Sequence, residues 1–188
     1  MRTGRFLPVV LVLTVACGSG ATSRSSPGAS VAVAMPTARL PGLHRSDATL
    51  DAVEAAVDAT HPEPLTAMLS GAGLVAVRER TYTGAHGAFA RVVIRAWVFA
   101  SEDGARSFLD WVQGNASPEL IGEAAPLVEA PGGALVMRHD VTGCCHGETP
   151  IYLAAWQRGP IVWTVRASGP RIKTTPVLSL VRSIEQEV

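Results

Sequence analysis

The stretch AFARVVIRAWVFA, Ala88 to Ala100, constrains the fold more than any other part of the chain. Successive side chains of an extended strand point to opposite faces. Here Ala90, Val92, Ile94, Ala96 and Val98 form one wholly apolar row, while Phe89, Arg91, Val93, Arg95, Trp97 and Phe99 form the other. An apolar row of that length needs partner strands beside it and a cover above it. Leu74 to Tyr82, Ala134 to Val141, Ile151 to Arg158 and Ile161 to Ala167 supply strands with the same period of two. Thr83 to Gly87 and Gly159-Pro160 read as the turns between neighbours.

Helical spacing supplies the cover. Ser46 is expected to cap a helix carrying Leu50, Val53 and Val57, and a second helix follows Pro64 with Leu65, Met68 and Leu69, ending at Gly71. Ser101 caps a third, with Glu102 and Asp103 in its first turn, Ala105, Phe108, Leu109 and Val112 toward the core, and Gly114 as its stop. Thr175 and Pro176 open a C-terminal helix with Val177, Leu180, Val181, Ile184 and Val188 on one stripe. Residues 116–132 read as loop with at most one edge strand. Consecutive strands flanked by helices predict an α+β fold, an antiparallel sheet of about five strands with helices packed on one face.

The N-terminal residues carry Arg2 and Arg5 ahead of an apolar run from Phe6 to Ala16, which reads as a signal peptide over 1–16 and is too short to span a bilayer as a helix. Leu13-Thr14-Val15-Ala16-Cys17 resembles the bacterial lipobox, which implies a lipidated Cys17 and a membrane anchor. Cleavage after Ser19-Gly20-Ala21 would instead release a secreted protein. Residues 17–46, rich in Gly, Ser, Pro and Ala, are expected to be a disordered tether, and 47–188 a single domain. Either route places the folded part outside the cytoplasm. When Arg2 and Arg5 leave with the leader, fourteen of the 16 basic residues remain against 16 acidic ones, so no field draws the chain to nucleic acid.

The second row of the central strand carries the functional reading. Arginines interleaved with aromatics recur on neighbouring strands: Arg78, Arg80 and Tyr82; Arg138 beside Asp140; Tyr152, Trp156 and Arg158; Thr164 and Arg166. On a shared face they would make a platform on which guanidinium groups pair with carboxylate or phosphate while rings stack on apolar groups. Arg91, Arg95, Trp97, Arg138, Trp156 and Arg166 are the residues expected to bind an anionic envelope ligand or a partner protein. The alternative is an ordinary exposed face whose arginines stack on aromatics and pair with acidic residues. Trp163 and Trp111 read as core.

Cys144 and Cys145 are adjacent in VTGCCHGET, between Gly143 and Gly147. Outside the cytoplasm thiols tend to oxidise, and three readings stand: a strained vicinal disulfide, an intermolecular bridge or reactive pair, and a metal site with His146, His139 and Asp140. Zinc sites favour ligands separated by two to four residues, which adjacent ones do not satisfy. Catalytic signatures are otherwise missing: the sequence has no G-x-S-x-G elbow, no phosphate-binding glycine loop and no histidine pair at helical spacing. No cofactor is expected.

With the lipobox, the tether and the segment VFASEDGARSFLDW, Val98 to Trp111, the chain resembles small actinobacterial envelope lipoproteins and, more loosely, the extracellular sensor domains of mycobacterial receptor serine/threonine kinases. That resemblance implies a non-catalytic extracytoplasmic binding module. The reading from another class is a thiol redox or metal protein centred on Cys144, Cys145 and His146.

Overall fold

The computed structural model describes residues 32–57, 59, 62–84, 87–116, 125–126, 133–142 and 148–188. They form strands β1 (His44–Leu50), β2 (Leu74–Thr83), β3 (Arg91–Phe99), β4 (Ala125–Pro126), β5 (Leu135–Thr142), β6 (Glu148–Arg158) and β7 (Ile161–Ser168). The helices are α1 (Ala52–Ala56), α2 (Pro62–Gly71), α3 (Glu102–Ala116) and α4 (Thr174–Glu187). All strand pairs are antiparallel, in the order β1-β2-β3-β7-β6-β5-β4. Two meanders, β1 to β3 and β4 to β7, thus meet at the β3–β7 pair, and α3 carries the chain between them.

The α+β class is as expected, with seven strands where about five were predicted. The helices cover both faces rather than one. Val92, Ile94 and Ala96 pack with Val177, Leu180, Val181 and Ile184 of α4, while Trp97 and Phe99 pack with Ala105, Phe108 and Val112 of α3 and Leu65 and Leu69 of α2. The reason lies in β3: its C-terminal half is apolar on both sides, and a strand of that kind is covered on both sides. Phe108 sits with its ring centroid 5.0 Å from that of Trp97 and 5.4 Å from that of Phe99, at angles suited to aromatic packing.

The predicted first helix divides in two. His44–Leu50 is an edge strand, and Asp51, not Ser46, caps the helix that follows: its carboxylate accepts from the Glu54 amide at 2.8 Å while the Glu54 side chain accepts from the Asp51 amide at 3.0 Å. Val53 and Val57 consequently face outward. Folded structure also begins before Asp47. Ala38 is buried against the α4 side of the sheet, Met35, Leu40 and Leu43 pack beside it, and the Thr37 amide donates to Glu187 at 2.7 Å. This stretch was expected to be tether; its scattered apolar residues have no period but pack into the same core cluster as α4.

Ser101 caps α3 as read, its hydroxyl accepting from the Gly104 amide at 3.1 Å. The helix continues through Gly114 to Ala116 because its buried stripe outweighs the cost of one interior glycine. At Gly104 a side chain has no room: a Cβ there would lie 2.1 Å from the Ala72 carbonyl oxygen, so α3 rests directly on the turn after α2.

Candidate functional site

Register gathers one set of side chains on the face shared with α1, α2 and α3. Cross-strand partners project on the same side of a sheet. Arg91 lies opposite Ser168, Val93 opposite Arg166, and Arg95 opposite Thr164 on β7 and Glu79 on β2; Leu153 of β6 flanks Arg166. Where α3 covers Trp97 and Phe99 the face is closed. Beyond them, toward the start of β3, it opens into a cleft of about 90 Å³ lined by the β3 and β7 side chains of this set and Leu153, with Ala55 of α1 and Ala59.

The floor is fixed by hydrogen bonds. Trp97 is 1% exposed, and its indole N–H donates to the Thr164 hydroxyl at 2.9 Å across the β3–β7 pair. The Arg95 guanidinium stands 5.5 Å from the Trp97 ring centroid, donates through Nε to Glu79 at 2.7 Å and donates through Nη1 to the Ala55 carbonyl at 3.0 Å. Thr81 donates to the second Glu79 oxygen at 3.0 Å, which holds that carboxylate in place. Arg95 therefore ties the rim helix to the floor and has its charge balanced by Glu79. Arg91, exposed, and Arg166, half-buried, stand at the opening, and no acidic residue lines the cleft among the described residues.

Of the six residues expected to bind, Arg91, Arg95, Trp97 and Arg166 are brought together. Arg138 and Trp156 are not. Arg138 lies opposite Tyr152 and Trp156 opposite Trp163, all on the α4 side, where Trp156 is buried in the core; its indole nitrogen has no hydrogen-bond partner among the described residues. Arg78, Arg80 and Tyr82 also fall on that side, opposite Ala96, Ile94 and Val92. The rows were correct within each strand but their phase between strands was not, and a slip of one residue reverses a row's face. Trp97 is a buried base of the cleft and not a stacking surface. Thr164, read with Arg166 as part of the platform, lies on this face; Glu79 and Ala55 were missed, since their roles exist only between elements.

Cys17, Cys144, Cys145 and His146 lie outside the described residues. Among the described residues no three His, Cys, Asp or Glu side chains are grouped to hold a metal ion, and no helix is long and apolar enough to cross a membrane.

No protein-family model and no curated protein matches the sequence. Among solved structures, the extracellular domain of PknH from Mycobacterium tuberculosis is similar in fold, with a TM-score of 0.54 and 13% identity over 77% of this chain and 84% of that one.

Proposed function

We propose that this chain is a non-catalytic extracytoplasmic binding module, anchored through a lipidated Cys17, whose basic cleft takes an anionic component of the cell envelope. The observation that carries the reading is the convergence of Arg91 and Arg166 on an opening whose floor, Trp97 with Thr164, is buried and hydrogen-bonded. Guanidinium groups recognise carboxylate and phosphate bidentately, and a rigid floor spares a bound anion the cost of ordering its site. The fold's likeness to a receptor kinase's extracellular domain fits a module that binds without catalysis, and the leader with its lipobox-like end fits export and anchoring.

The test is calorimetric titration of the protein with glucuronate and inositol phosphate as carboxylate and phosphate probes. Saturable binding to at least one is expected, weakened about tenfold or more in Arg91→Ala/Arg166→Ala, since each charge-assisted bond is worth about 1.5–3 kcal/mol. Arg138→Ala, on the other face, leaves it unchanged. Binding that persists in the double variant, or none to either probe, rejects the assignment.

A further inference from the structure

The two edges of the sheet are treated differently. β4 is two residues long and ends in Pro126, whose ring nitrogen carries no donor, so that edge is blunted against further pairing. β1, at the opposite edge, is seven residues long, pairs with β2 without a bulge, contains neither proline nor lysine, and exposes every residue from His44 to Thr49. In an antiparallel ladder alternate residues turn their N–H and C=O groups away from the neighbour already bound. β1 thus presents a run of backbone donors and acceptors ready for another strand.

Its charge pattern selects the strand. Two copies of β1 can pair antiparallel about a twofold axis only if one residue faces itself, because partners must project on the same face. An axis through Arg45 sets two guanidinium groups against each other, and one through Asp47 sets two carboxylates against each other. An axis through Ala48 leaves Asp47 facing Thr49. Only through Ser46 do Arg45 and Asp47 of one copy face Asp47 and Arg45 of the second, with His44 opposite Ala48. Within one copy the Arg45 Nε already donates to Asp47 at 3.2 Å; in that register each Asp47, which also accepts from the Arg80 of its own copy, gains the Arg45 of the second.

We propose that β1 joins this chain to a second copy of itself, antiparallel and centred on Ser46, so that one sheet runs through both. The test uses the full chain carrying Cys17→Ser, Cys144→Ser and Cys145→Ser, with one cysteine introduced at the axis by Ser46→Cys. Facing Cα atoms at the axis lie about 4.5–5.5 Å apart, within the range of a disulfide. Mild oxidation is expected to give a covalent dimer with Ser46→Cys but not with Thr49→Cys, which meets Leu43 in this register. Adding Arg45→Asp opposes four carboxylates and is expected to cut cross-linking about tenfold, from two like-charge pairs. Equal cross-linking at both positions, none at either, or no effect of Arg45→Asp overturns the proposal. Sedimentation of the unaltered chain as a monomer at every concentration does so as well, independently of any variant.

Discussion

Arg80 shows how one side chain can organise three segments. It is 6% exposed; its Nε and Nη2 donate to the two Asp47 oxygens at 2.7 and 3.0 Å, and its Nη1 donates to the carbonyls of Met35 and Pro36 at 2.9 and 2.7 Å. β2, β1 and the segment before β1 are thereby fastened at a single guanidinium. Nothing in the local sequence distinguishes Arg80 from Arg78 two residues before it, because the distinction lies in what crosses above each. Arg80, and after it Arg45, hold the Asp47 carboxyl well below the usual carboxylate range. A depressed folded-state value means that the stabilisation is complete above the unfolded value of about 3.9 and is lost as pH falls below it. Asp47→Asn is expected to be less stable than the parent at pH 7, with the gap closing below about pH 4. Urea midpoints measured across that range check this, and a gap that stays constant to low pH contradicts it. Asp47 is largely exposed, so solvent screening keeps the effect modest.

Elements with a buried stripe were legible because burial imposes a period. α2, α3, α4 and strands β2, β3, β5, β6 and β7 all follow the spacing of their apolar residues, and the cap at Ser101 with the acidic first turn of Glu102 and Asp103 follows from chemistry within one turn. β1 was not legible. HRSDATL is exposed on both faces, so it carries no alternation, and its Ser46 and Leu50 fall by accident on a helical spacing with Val53 and Val57. Pairing with β2, not its own pattern, makes it a strand. The contact between α3 and the turn after α2 gives a prediction at this scale. Gly104→Ala forces the helix away from the Ala72 carbonyl and is expected to cost about 1–3 kcal/mol, seen as a lower melting temperature. Ser107→Ala, exposed on the same helix, serves as the control that leaves it within error.

For the molecule as a whole, the sheet lies between α1, α2 and α3 on one side and α4 with residues 33–43 on the other. The division of the arginine rows between those sides could not be read from single strands; it needs the register of all pairs together. The same layering makes the start of the folded unit testable. A chain begun at Asp47 loses the cover given by Ala38, Leu40 and Leu43 and half of β1. It is expected to melt about 10 °C below one begun at Ala32 and to bind more apolar dye, from a loss of a few kcal/mol of burial. Equal melting temperatures would show that the segment contributes nothing.

The bond from Trp97 to Thr164 joins residues 67 positions apart and spans the seam between the two meanders. Its partners meet only after α3 has carried the chain across and β7 has been laid down, and contacts of such separation form late. A polypeptide halted between Phe99 and Ile161 contains the residues of its first three strands but lacks Thr164, the partner that fixes the floor of the cleft. The cleft therefore exists only once the two meanders have paired.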